Sequence, residues 1–249
     1  METGLGMTRE RTPAEHQHLD SFPHNFRVLV VGASGGIGAA MGEILHQLRP
    51  DAKVEGLHRH SEPKIDFTDE NSIARAAQAL TQHAPFHLII NAAGILHTAD
   101  FMPEKKLNDL HYAQLRTTFE VNTFGPALLL RYFAPLLDRQ RGVMAMLSAK
   151  VGSIEDNRLG GWYSYRASKA ALNMLIKTAA IELRRTQPNA VLLALHPGTV
   201  SSSLSQPFRS ATKGRPATEA AYDLLQVINR KTPEDSGRFY TYADEKLPW

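Results

Sequence analysis

The strongest constraint on this chain is a short apolar run, Val28-Leu29-Val30-Val31, that breaks directly into Gly32-Ala33-Ser34-Gly35-Gly36-Ile37-Gly38. Four aliphatic residues in a row, without polar alternation, suit a strand covered on both faces. The glycines allow a tight turn. Beyond it, Ile37, Met41, Ile44, Leu45 and Leu48 recur at helical spacing. A buried strand, a glycine turn and an amphipathic helix, in that order, require a parallel sheet.

The pattern recurs. Leu88–Ile90, Val143–Leu147 and Val191–Leu195 predict further buried strands, and Lys53–Leu57, Lys64–Asp66 and Arg238–Tyr242 weaker ones. Between them, helical spacing predicts Ile37 to Leu48 and Ile73 to Leu80. It also predicts one long helix over Leu107 to Leu137, bent near Gly125-Pro126, and another over Tyr163 to Arg185, ended by Gln187-Pro188. Strands alternating with helices give an α/β fold: a single-domain, doubly wound parallel sheet of Rossmann-like type, with helices on both faces. No repeat or linker divides residues 26–249. Met1 to Asn25 is expected to be a flexible extension, and Ser201 to Pro216 reads as a mobile flap.

Composition enters by exclusion. At 249 residues the chain can bury a substantial core. The absence of cysteine excludes disulfides, zinc-thiolate sites and a thiol nucleophile, and fits a reducing compartment. A net charge of +3 with no long basic run argues against a nucleic-acid partner. The apolar stretches are too short to cross a membrane. The polar first 25 residues do not look like a secretory signal, so the cytoplasm is the expected location. The pairs His16/His18 and His58/His60 have no evident third ligand, so no metal is expected.

Chemistry enters with Tyr165-Arg166-Ala167-Ser168-Lys169. A tyrosine and a lysine four apart share one helical face. An ammonium one turn away stabilises a phenolate and should lower its pKa from about 10, fitting the phenol to exchange a proton. Upstream, a glycine turn at a helix N-terminus suits a pyrophosphate. Together they predict hydride transfer between a nicotinamide cofactor and a carbonyl or alcohol, with Tyr165 handling the proton. The glycines are spaced G-x-x-x-G-x-G rather than G-x-G-x-x-G.

The glycine run, Asn91-Ala92-Ala93-Gly94, Asn122, Tyr165-x-x-x-Lys169 and Pro197-Gly198 resemble, in order and spacing, the short-chain dehydrogenase/reductases. The resemblance covers about residues 26–249. Within that family the chain looks most like the C-factor and sniffer-type carbonyl reductases, through Gly152-Ser153-Ile154, Tyr163-Ser164-Tyr165-Arg166 and the ending Gly237-Arg238-Phe239 to Leu247-Pro248-Trp249.

The resemblance implies cofactor contacts from Gly32, Ser34, Gly35, Gly36, Ile37, Gly38, Asn91, Ala92, Ala93 and Gly94. It places Pro197, Gly198, Thr199 and Val200 beside the nicotinamide, and has Lys169 hold its ribose. Asn122 would fix a water in a proton relay. Asp66 either contacts adenine or caps the helix starting near Asp69. After the Lys53–Leu57 strand stands Leu57-His58-Arg59, with no acid to repel a 2′-phosphate. Arg59 and Ser34 can bind that phosphate, which favours NADP(H) over NAD(H).

One departure stands out. The family's serine after the Val143–Leu147 strand is replaced by Ala149, leaving Ser148, if a bulge turns it inward, or Ser153 to bind the substrate oxygen. Ser148 is the preferred candidate. Leu96, Trp162, Tyr163 and Phe208 are candidate pocket residues. The expected partner is a small carbonyl or alcohol, with homo-oligomers open. The alternative is a dinucleotide-binding regulatory protein with little turnover.

Overall fold

The computed structural model describes residues 18–202, 205–208 and 214–249. Six strands form one parallel sheet: β1 (Arg27–Val31), β2 (Lys53–Leu57), β3 (Leu88–Asn91), β4 (Val143–Leu147), β5 (Val191–His196) and β6 (Arg238–Thr241). Their order is β2-β1-β3-β4-β5-β6. In register, Val31 lies beside Leu57 and Asn91, and Leu147 beside Leu195. The central strands β3, β4 and β5 are buried along nearly their whole length, which is why they read as unbroken apolar runs.

Among the described residues six α-helices cover the sheet: α1 (Gly36–Leu48), α2 (Glu70–Leu80), α3 (Tyr112–Phe119), α4 (Gly125–Phe133), α5 (Tyr163–Thr186) and α6 (Ala217–Arg230). One face packs β-strand side chains against α1 and α6, through Met41, Ile44, Leu45, Leu224, Leu225 and Ile228. The other packs them against α2, α4 and α5, through Ile73, Ala76, Leu129, Phe133, Leu172 and Ile176. Successive strand residues alternate between these two layers, and because every strand pair is parallel the C-terminal ends share one edge.

Three expectations are corrected. Lys64–Asp66 forms no strand; Ile65 N–H bonds back to the His58 carbonyl instead. A parallel neighbour needs a crossover of about a dozen residues or more, and His58–Pro63 is too short to supply one after β2. The long helix over Leu107 to Leu137 is divided. Leu107–Asp109 is a separate 3₁₀ turn, and a π-turn, Glu120–Phe124, separates α3 from α4. Pro126 lacks the N–H that would donate to the Asn122 carbonyl, so the break falls just before it.

The last part of the expected extension is packed. Leu19 and Phe22 are buried, while Met1 to Gln17 lie outside the described residues. Arg49 holds the segment down, donating to the carbonyls of Leu19, Phe22 and Pro23 at 3.1, 3.3 and 2.7 Å. Its guanidinium also forks onto Asp51 and lies 4.7 Å from the Phe26 ring centroid. Among the described residues no helix is long and apolar enough to cross a membrane.

Candidate active site

The glycine turn is fixed by its neighbours. Gly32 and Ala33 N–H groups donate to the Leu57 carbonyl at 2.8 and 3.2 Å, tying the turn to the end of β2. Gly32 has φ +83°, and a Cβ there would stand 2.6 Å from Ala93 N. Only glycine lets Ala92-Ala93 run that close. Helix α1 opens at Gly35 with no side-chain cap, and Ser34, Gly35 and Gly36 are exposed. The opening of the helix is therefore accessible, as an anion site requires.

Arg59 is exposed beyond β2, with no hydrogen bond or ion pair among the described residues. Asp66 accepts from Thr68 N and Oγ1 at 2.9 and 2.8 Å. Those bonds, with the nearby Arg59 and Lys64, hold its carboxyl below the usual range. Asp66 thus shapes the turn before α2, while the helix cap itself is Asp69, accepting from Asn71 N.

Asn91 ends β3 and is buried. Its Oδ1 accepts from Ala93 N at 3.1 Å, and its Nδ2 has no partner. Asn122, in the π-turn, grips the next segment: Oδ1 accepts from Ile95 N at 2.8 Å, while Nδ2 donates to Ile95 O and to Ser168 Oγ. A Cβ on Gly94 would stand 3.2 Å from Asn122 Oδ1 and 3.4 Å from Lys169 Nζ. Gly94, Asn122 and Lys169 thus meet at one point.

Helix α5 carries the tyrosine and lysine. Glu104, buried in the loop after Gly94, takes hydrogen bonds from Ser164 N and Ser164 Oγ and fixes the first turn. An acid there also complements the helix dipole. Lys169 is buried and donates to the Leu147 carbonyl at 3.0 Å; its Nζ lies 5.8 Å from the Tyr165 ring centroid. Burial pushes the Tyr165 phenol up to about 12 and the Lys169 amine down to about 8. The expected lowering of the tyrosine is therefore overturned: desolvation wins over a cation that points at a carbonyl instead.

A cavity of about 210 Å³ opens at the ends of β4 and β5. Ile37, Ser148, Tyr165 and Pro197–Val200 line it, with Leu96, Trp162 and Phe208 as its apolar wall. Tyr163 and Ser153 are not among the lining residues. The Trp162 ring stands 5.4 Å from Phe208 and 6.2 Å from Tyr165. Gly198 has φ +77°, and a Cβ there would strike Tyr242. Thr199 O and Ser201 N pair with the backbone of Arg215, closing the root of the expected flap; residues 203–204 and 209–213 lie outside the described ones.

The serines are occupied. Ser148 Oγ donates to Asn173 Oδ1 on α5 at 2.6 Å, and Ala149 presents only a methyl group. Ser153 Oγ is held by Trp249 O and Asp156 N. Four neighbours of the site escaped the sequence reading: Glu104, Lys150, Asn173 and His196. His196 directly precedes Pro197-Gly198, the one signal that pointed to it.

Residues 27–213 match the family model for short chain dehydrogenase. The chain belongs to that family of oxidoreductases. It is 32% identical over 231 residues to the 1-hydroxy-2-glutathionyl-2-methyl-3-butene dehydrogenase of Rhodococcus sp. (strain AD45), covering 89% of this chain and 99% of that protein. It is 36% identical over 169 residues to the C-signal of Myxococcus xanthus, covering 66% and 93%. In fold it is similar to the NADPH-bound carbonyl reductase from chicken fatty liver, with a TM-score of 0.77 at 23% identity over 91% of this chain and 95% of that one.

Proposed function

We propose that the protein is an NADPH-dependent reductase of ketones or aldehydes or, in reverse, a dehydrogenase of the corresponding alcohol. The observation that carries this is Tyr165 on the wall of an apolar cavity, one helical turn from the buried Lys169. The donor set fits a nicotinamide dinucleotide. It combines an uncapped helix N-terminus behind a turn that a Cβ would block, the orphaned Asn91 Nδ2, and a buried amine at Gly94. When bound, the reduced cofactor supplies a hydride and leaves oxidised.

The chain's residues do the rest. Gly35, Gly36, Ile37 and Gly38 take the pyrophosphate, with Gly32, Ala92 and Ala93 keeping the floor of the groove low. Ser34 and Arg59 take the 2′-phosphate, and Asp66 keeps one carboxylate oxygen for the adenine side. Lys169 holds the nicotinamide ribose, and Pro197, Gly198, Thr199 and Val200 seat the carboxamide. Tyr165, protonated throughout the physiological range, gives its proton to the carbonyl oxygen as the carbon accepts hydride. A phenol raised by burial is a donor at rest, which favours the reducing direction. Asn122 holds the Gly94-Ile95 segment against Lys169, beside the route by which the proton is replaced.

The test is oxidation of NADPH with a panel of ketones, aldehydes, quinones and α-dicarbonyls. Tyr165→Phe should cut kcat by at least about 100-fold, with NADPH affinity unchanged. Full turnover by that variant refutes the assignment. A second reading, a dinucleotide-binding regulator with little turnover, is favoured by the bonded Ser148 and the methyl of Ala149. Micromolar NADPH binding without oxidation across the panel would select it.

A further inference from the structure

Tyr165 is one donor to the oxygen that changes charge in this cavity, and a carbonyl oxygen accepts two hydrogen bonds. The residues at the end of β4 do not supply the second. The Ser148 hydroxyl has one proton and gives it to Asn173, away from the cavity. Ala149 has nothing to give.

The neighbouring strand offers a different group. Ser148 N–H bonds to the Leu195 carbonyl at 2.8 Å, so the residue after Leu195 stands beside Ser148 at the same edge of the sheet. That residue is His196, and it lines the same cavity as Tyr165. Its ring makes no hydrogen bond among the described residues, and Nδ1 is buried without a partner. An imidazole in a sheet this well bonded stands out, because buried polar atoms are nearly always satisfied. The backbone around it is fixed: Tyr242 N–H donates to the His196 carbonyl at 2.9 Å, and Pro197 restricts its dihedrals from the other side.

The ring's charge state suits a donor. Desolvation, helped by Lys150, pushes its pKa down to about 4, so the imidazole is neutral near pH 7 and carries one N–H. A neutral donor can stabilise a developing oxyanion without competing with Tyr165 to deliver the proton.

We infer that His196 is a substrate-contacting catalytic residue, whose imidazole N–H donates to the reacting oxygen opposite Tyr165. This rests on the reduction proposed above. The oxygen is then held between a phenol that transfers its proton and an imidazole that keeps its own. No bond to His196 is made or broken. The same contact would fix the carbonyl's orientation, so His196 acts on specificity as well as rate.

The experiment compares wild type, Tyr165→Phe, His196→Leu, His196→Gln and the double variant His196→Leu/Ala149→Ser. Each is assayed with NADPH and an aromatic α-dicarbonyl, with NADPH affinity from nucleotide fluorescence and folding from melting curves. Loss of one preorganised donor lowers kcat by about 10²–10³-fold, the fall expected for His196→Leu with NADPH affinity within threefold of wild type. His196→Gln keeps an N–H in place and should recover at least a tenth of the wild-type rate. A serine at 149 should recover at least tenfold over His196→Leu. Recovery through a hydroxyl on a different strand would not follow from a merely structural histidine.

Wild-type kcat in a folded His196→Leu, or no recovery in both His196→Gln and the double variant, overturns the assignment. Should His196→Leu fail to fold, His196→Gln and Ala149→Ser in the His196→Gln background carry the comparison, and a rate indifferent to both overturns it. Turnover surviving Tyr165→Phe, or absent in wild type, instead refutes the underlying reduction.

Discussion

Helix α1 contains three glycines, and for two of them, Gly38 and Gly42, replacement by alanine leads to opposite forecasts. Replacing an exposed helical glycine by alanine gains about 1 kcal/mol, because alanine restricts the unfolded chain. At Gly42 a Cβ would meet nothing within 4 Å, so that gain should appear nearly whole. At Gly38 the same methyl would stand 2.1 Å from the Gly32 carbonyl oxygen and 2.8 Å from its carbon. To reach ordinary contact, turn and helix must separate by about 1.3 Å. The turn has little room, since Gly32 is bonded to Leu57 and lies against Ala93.

A clash this close to backbone falls in the upper part of the range for overpacking, about 2–3 kcal/mol, which outweighs the helical gain and leaves a net loss of roughly 1–2 kcal/mol. For a chain of this size each kcal/mol moves Tm by about 2–4 °C. Gly38→Ala should therefore melt roughly 2–8 °C below wild type, and Gly42→Ala about 2–4 °C above it. Scanning calorimetry without cofactor measures both. Nucleotide fluorescence should add a loss of NADPH affinity above about tenfold in Gly38→Ala alone, because its shift moves the donors of the anion site. A Gly38→Ala protein as stable as wild type, or two variants that behave alike, would refute the packing argument.

Two further outcomes follow from the structure. Arg59→Glu should swing the preference between NADPH and NADH by roughly 10–100-fold toward NADH, the worth of about 1.5–3 kcal/mol for a charged hydrogen bond, measured as the ratio of kcat/KM values. His196, near 4 when folded and 6.5 when free, binds fewer protons in the native state. Stability should therefore fall by up to about 3 kcal/mol between pH 6.5 and 4, a slope that His196→Leu removes in urea titrations; a slope unchanged by it would contradict the burial.

What could be read from the sequence depended on how local the cause was. Val28–Val31, Val143–Leu147 and Tyr163 to Arg185 were legible because burial and helical spacing write themselves into neighbouring residues. Residues 217–230 carry the same spacing in Ala220-Ala221, Leu224-Leu225 and Val227-Ile228 and form α6, a helix absent from the sequence expectations. Lys64–Asp66 failed for a topological reason, crossover length, that no window of residues displays. The motif residues converge on one sheet edge as their order suggested. Glu104 and Asn173 did not show, since each acts through a partner on another element, and His196 did not, since the pairing of β4 with β5 is what sets it beside Ser148. The tyrosine's proton affinity was misjudged for the same reason: burial is a property of the whole fold.

Leu247 N–H bonds to the Phe239 carbonyl, and the Trp249 indole stacks on Phe239. The Trp249 carbonyl in turn accepts from the amides of Ile154 and Glu155 and from Ser153. The outermost strand and the 153–155 turn, which follows the cavity-lining Lys150-Val151, are thereby buttoned to one short ribbon, so fraying at the margin of the sheet would loosen the chain just beyond the cavity wall.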